Sequence, residues 1–261
     1  MTVSNLISPL MVYFDRFVLA VLLPAKAVAW YVTSQEAMLR TLLIPGALAG
    51  ELFPKFSGAS DSAGMGTHID VYQRGIRVVA ALMLPLCVLA AAGAYDAMRI
   101  WMGEPFALNS HHVVEVIAVG IFANSIAQLP FSWLQGTGRS RLTAQLHIAE
   151  FPFYAAGLGL YFCVVYWGIM GAAWMWTMCV VVDCLLLLRM AAQRGTYGTH
   201  SIVLAGISLV AAVGFFAGPE WHWEWRAGVC VVTVGFAFVL AWFGLLKQED
   251  RDGVLRFRYA H

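Results

Sequence analysis

Leu6-Ile-Ser-Pro-Leu-Met-Val-Tyr-Phe-Asp-Arg-Phe-Val-Leu-Ala-Val-Leu-Leu23 decides the fold of this chain. The stretch is long and apolar enough to cross a bilayer, for which about 20 residues suffice. Yet Asp15 and Arg16 stand side by side near its middle. A charge at the bilayer centre costs at least ~2.5–3.5 kcal/mol on insertion scales, so such residues face a bundle interior, a wet cavity or each other. The other helices must therefore supply partners for Asp15 and Arg16.

The composition allows this. Of 261 residues, 61% are hydrophobic and 12% charged, against roughly 25% charged in a soluble domain. The balance indicates a membrane-embedded chain, and no nucleic-acid partner is expected. The net charge of +1 is uninformative beside its distribution. Cys87, Cys163, Cys179, Cys184 and Cys230 all lie in apolar runs and read as small buried hydrophobes. The N-terminus carries no basic n-region or cleavage site of a signal peptide.

Apolar runs of span length fall near 3–23, 28–53, 76–95, 113–134, 142–165, 168–188, 201–218 and 227–246. The chain thus reads as one all-α, polytopic membrane bundle of about eight transmembrane helices. With the N-terminus in the cytoplasm, eleven Lys and Arg of the connections and tail lie on that side: Lys55, Arg74, Arg77, Arg139, Arg141, Arg189, Arg194, Lys247, Arg251, Arg256 and Arg258. Three (Lys26, Arg99 and Arg226) lie opposite. The positive-inside rule then predicts that both termini are cytoplasmic. Residues 1–246 form the bundle in this reading, and 247–261 a basic cytoplasmic tail. Residues 54–75 read as a polar cytoplasmic loop, 94–112 as the longest outer loop, and Trp221-His-Trp-Glu-Trp225 and Tyr166-Trp167 as outer aromatic anchors.

The first two spans meet at a tight turn around Pro24-Ala-Lys26. Residues equally far from that turn lie at similar depth, which brings Arg16 level with Gln35 and Glu36. Glu36 and Arg40 are spaced i,i+4 with the acid first, the favourable order. Asp15, Arg16, Glu36 and Arg40 are thus expected to form a neutral quartet within one hairpin. Two compatible readings follow. The charges pin helix register, or they line a cavity that binds an anionic head group and re-pairs during transport. Later in the second span, Pro45 predicts a kink, and Gly46 and Gly50 predict close helix approach.

Asn124 and Gln128 share a face of the fourth span. They look into the same cavity or make interhelical hydrogen bonds worth about 0.6 kcal/mol each. Glu150 and Asp183 are lone acids in the fifth and sixth spans and candidates for carrying a proton or cation. His111-His112 opens the fourth span with no third ligand evident at a metal-site spacing, which predicts two solvated histidines and no metal centre. No phosphate-binding Gly loop, H-E-x-x-H or G-x-S-x-G motif is present, and no cofactor is implied.

Three stretches together carry a family resemblance. They are Ser8-Pro-Leu-Met-Val-Tyr-Phe-Asp-Arg-Phe17; Ile44-Pro-Gly-Ala-Leu-Ala-Gly50 leading to Leu52-Phe-Pro-Lys-Phe-Ser57; and Leu134-Gln-Gly-Thr-Gly-Arg139 with Arg141-Leu-Thr-Ala144. In this order and spacing the chain resembles the O-antigen and exopolysaccharide flippases of the multidrug/oligosaccharidyl-lipid/polysaccharide exporter superfamily. The resemblance is strongest over residues 1–145. It implies a two-lobe transporter in which this chain is the second lobe plus two extra C-terminal helices, the first lobe being absent and the chain a truncated copy. It also implies a non-enzymatic function: undecaprenyl-diphosphate-linked oligosaccharide is moved across the bacterial inner membrane by alternating access. Arg16 and Arg40 would meet the diphosphate or sugar carboxylates, with Asp15, Glu36, Gln35, Asn124 and Gln128 beside them. Glu150 and Asp183 would be ion-coupling candidates. Implied partners are the lipid-linked substrate, the bilayer, the missing lobe and the polymerase or glycosyltransferases of the same route. Two other readings stand beside this one: an exporter of drugs or other lipids from the same superfamily, and a membrane polysaccharide polymerase or ligase. The last would place its catalytic residues on a long outer loop, and residues 94–112 are thin for that role.

Overall fold

The structure, a computed structural model, describes residues 14–57, 65–155, 158–191, 198–216, 220–249 and 251. No strand occurs among them. Helix α1 covers residues 14–22 and stops before Pro24, whose ring fixes φ and starts the next helix. Helix α2 is Ala25–Leu39, and a 3-10 turn, Arg40–Leu42, joins it to α3, Leu43–Ser57. The expected kink is therefore present and has a clear cause. Pro45 has no N–H to offer the carbonyl of Thr41, and the chain tightens into 3-10 geometry just there.

Helix α4 is Met65–Ala92, α5 Ala94–Met102 and α6 Glu104–Gly136. The segment expected to be an outer loop, 94–112, is thus helical, split only at Gly103. That residue adopts φ 88°, a left-handed conformation that favours glycine. Part of the expected polar loop 54–75 is likewise helical: α3 runs through Ser57 and α4 begins at Met65.

Four more helices follow: α7, Ser140–Ala155; α8, Leu158–Ala191; α9, Gly198–Phe216; and α10, Trp223–Val239, which ends in a π turn, Leu240–Leu245. Within α8 the backbone leaves helical geometry at Gly168, φ 58° and ψ −137°. This break falls where the sequence separates its fifth and sixth apolar runs.

Among the described residues, four helices are long and apolar enough to span a membrane: Ile69–Ala92, Glu104–Gly136, Val164–Ala191 and Trp223–Leu245. A shorter apolar helix covers Ile202–Val213. Helix α6 is the hub. It packs against α2, α3, α4, α5, α8 and α9 and is buried along most of its length, whereas the span starting at Trp223 is largely bare. Small residues let neighbours come close to the hub. At Gly120 the ring of Trp176 in α8 occupies the space of a side chain, and at Gly136 Phe56 does the same.

The two ends of the bundle differ. At one end Phe56, Tyr72 and Trp133 pack together, with ring centroids 5.1 to 6.4 Å apart, and the basic connections around Lys55, Arg74 and Arg139 gather there. Arg74 also donates to the carbonyl of Glu249 at 3.5 Å, which brings the start of the C-terminal tail to the same end. At the other end Arg226 of α10 grips Asp96 of α5 with two hydrogen bonds, 2.8 and 3.1 Å. It also donates to the Trp221 carbonyl and lies over the Tyr95 ring, 4.7 Å from its centroid. Trp221, Trp223 and Trp225 are exposed near this clamp, as are Tyr166 and Trp167 beside the α8 break. Cys87 and Cys184 are buried free thiols. Residues 252–261, most of the expected tail, lie outside the described residues.

Candidate functional site

The α1–α2 hairpin meets the cost of burying its charges with two linked contacts. Asp15 is fully buried. Tyr31 Oη donates to its Oδ2 at 2.7 Å, Gln35 Nε2 donates to the same oxygen at 3.0 Å, and the Arg16 backbone N–H donates to Oδ1 at 2.9 Å. Tyr31 and Gln35 are one helical turn apart on α2, so both reach α1 from one face, and Gln35 Nε2 also donates to Tyr31 Oη at 3.1 Å. Arg16 turns the other way. Its Nη2 reaches Glu36 Oε1 at 2.5 Å and Gln35 Oε1 at 3.3 Å.

Gln35 bridges the two halves. Its amide N–H serves the carboxylate and its amide oxygen serves the guanidinium, an orientation that both partners require. Arg16 is mostly enclosed, with 19% of its side chain exposed, while Glu36 is 42% exposed. The enclosed cation of this network is therefore paired with a carboxylate that solvent reaches.

The expected quartet is corrected in one respect. Asp15, Arg16, Gln35 and Glu36 come together at the predicted depth, but Arg40 does not join them. It is exposed in the 3-10 turn and makes no ion pair with Glu36. The turn that relieves Pro45 ends the regular helix at Leu39, and Arg40 points into open space. In its stead the network gains Tyr31, whose contribution is an oriented hydroxyl rather than a charge.

Asn124 and Gln128 sit on α6 in an informative pattern. Past residue 123 the less buried positions of this helix are Asn124, Gln128, Phe131, Ser132 and Gln135. Their spacing of three and four residues defines one face, and that face is largely polar on a helix otherwise enclosed by apolar neighbours. A Cβ added at Gly46 would come within 3.3 Å of Gln128 Oε1, so α3 lies directly against this stripe. At Gly50 the expected close approach is not found, since nothing lies within 4 Å of where a Cβ would be. Asp183 is half-buried on α8. The side chain of Glu150 lies outside the described residues.

The expectation of two solvated histidines is also corrected. His112 is exposed, but His111 is 3% exposed and Glu115 is 8% exposed beneath the pair. Glu115, three and four residues on, lies against the pair, its Oε2 2.7 Å from His112 Nδ1.

Four membrane-length helices among the described residues, a fully buried carboxylate network and one polar stripe on the central helix are the features of a membrane protein. The chain is 36% identical over 187 residues to a protein of Shigella flexneri that carries the name "Putative O-antigen transporter". The O-antigen flippase resemblance read from the sequence is borne out in this relative. The match takes in 72% of this chain and 44% of the relative, so the chain spans less than half of that protein's length. No family model and no solved structure matches the chain.

Proposed function

We propose that this chain is part of a transporter that carries lipid-linked O-antigen or exopolysaccharide units across the bacterial inner membrane. The observation that carries this reading is the identity to the Shigella flexneri protein, which extends over most of the chain. In this proposal the described helices are the second lobe of a two-lobe exporter, with α9 and α10 as added helices. The Phe56–Tyr72–Trp133 end, with its basic connections, faces the cytoplasm. The Arg226–Asp96 end, with its exposed tryptophans, faces outward.

The mechanism proposed for the site is exchange of carboxylate partners at Arg16. A diphosphate or acidic sugar entering from the open side displaces Glu36 and takes a charge-assisted bond from the guanidinium. Asp15 stays in place, held by Tyr31 and Gln35. Arg40, already exposed, offers a second cation about 6 Å further along the helix, four residues at 1.5 Å each. The Asn124–Gln128 stripe supplies neutral hydrogen-bonding groups suited to sugar hydroxyls. Asp183 and Glu150 remain candidates for ion coupling.

The test is O-antigen display on lipopolysaccharide gels in a flippase-null strain supplied with a complete exporter that contains this segment. Restored display, lost in Arg16→Ala and reduced in Arg40→Ala at normal protein levels, is the expected result. Normal display in both variants would remove these residues from the substrate path. Restoration of drug efflux alone would favour the drug-exporter alternative.

A further inference from the structure

We infer that His111, His112 and Glu115 form a binding site for a divalent transition-metal ion near the N-terminal end of α6. Successive residues of a helix are about 100° apart, so with His111 as origin His112 lies at about 100° and Glu115 at about 40°. Glu115 thus falls between the two histidines on the helix surface, one turn on. Side chains on a helix lean toward its N-terminus, which brings the carboxylate back toward the two rings. One ligand atom from each residue lies within 4.8 Å of the others.

The protonation pattern suits a metal. His111 Nδ1 donates to the carbonyl of Ala107 at 2.8 Å, the outer contact that fixes tautomer and ring orientation in metal-ligating histidines. Its Nε2 is left as a buried lone pair with no hydrogen-bond partner. Glu115 Oε2 meets His112 Nδ1 at 2.7 Å, but its Oε1 is also buried with no partner. Two orphaned acceptors on side chains more than nine-tenths buried are an expensive arrangement. A cation bound by this group would satisfy orphaned acceptors of this kind.

Two imidazoles and one carboxylate form a donor set for zinc and its first-row neighbours, rather than for the all-oxygen shells of magnesium or calcium. His112 is 59% exposed, so a fourth position stays open to water or an anionic oxygen, as at three-ligand zinc centres. The site also touches the outer clamp. Tyr95 meets the His111 ring edge-on at 5.7 Å, and Arg226 lies over the Tyr95 ring. An ion bound here stiffens the junction of α5, α6 and α10, whether or not the transport reading holds.

The test uses the whole chain purified in nanodiscs, titrated with Zn²⁺ by calorimetry and with Co²⁺ by visible absorption. One saturable equivalent is expected, with a cobalt d–d spectrum of low coordination number and no competition from Mg²⁺. His112→Gln, an exposed change that leaves the fold intact, and Glu115→Gln should each weaken binding about 10-fold or more. His222→Gln, at an exposed histidine outside the site, should leave binding unchanged. Absence of saturable binding, or binding lost in His222→Gln and kept in the other two, would overturn the site.

Discussion

At the scale of single residues, Asp15 shows how an apolar helix tolerates a buried carboxylate. Its oxygens accept three hydrogen bonds, and none of these comes from an arginine side chain. Tyr31→Phe removes one donor while keeping the ring, and leaves Oδ2 served by Gln35 alone. A hydrogen bond to a charged group is worth about 1.5–3 kcal/mol, so Tyr31→Phe should lower unfolding stability by about that much in mixed micelles. A loss below about 0.5 kcal/mol would mean that Gln35 or water replaces the hydroxyl. The Arg16–Glu36 pair could be read from the sequence because counting outward from Pro24 gives equal depth on both arms. Tyr31 could not, because a tyrosine hydroxyl can find a partner in many places, and only the packed hairpin aims this one at Asp15.

At the scale of elements, the glycines separate into those that hold helices together and those that do not. A Cβ at Gly136 would lie 2.7 Å from Phe56 Cβ and 3.2 Å from its backbone carbon, atoms that cannot swing aside. Gly136→Ala should therefore destabilise the α3–α6 contact by about 1–3 kcal/mol, as overpacking does. Gly50→Ala meets nothing and should be neutral or stabilising by about 0.5–1 kcal/mol. Thermal melts of the two variants in one detergent decide between these signs, and equal shifts would contradict the contact geometry. In sequence Gly46 and Gly50 looked alike. Proximity to Gln128 distinguishes them, and only the packing of α3 against α6 sets that.

At the scale of the whole molecule, the Arg226–Asp96 clamp ties the sparsely packed α10 to the rest of the bundle. Arg226 is 95% buried with two bonds to one carboxylate, while Asp96 is 40% exposed. Removal of the arginine thus leaves a carboxylate that water can reach, and the cost stays below that of breaking a fully buried pair. Arg226→Ala should cost about 1–3 kcal/mol and should raise hydrogen exchange in α10 before that in α6. Exchange rising equally in both helices would show that α10 is not held by this clamp.

The chain's apolar periodicity, its buried charges and its prolines by themselves determined that it is a helical membrane bundle and where its first hairpin turns. Those properties follow from the cost of exposing backbone and charge to hydrocarbon, which every membrane segment must satisfy locally. Only the tertiary structure decided which polar groups meet. It excluded Arg40 from the Asp15–Arg16 network, brought Tyr31 into it, turned the supposed outer loop into α5 and the start of α6, and seated Glu115 beneath the two histidines. Each of these depends on helix rotation and on the 3-10 and glycine breaks, which are set by packing against α6 and by no single stretch of sequence.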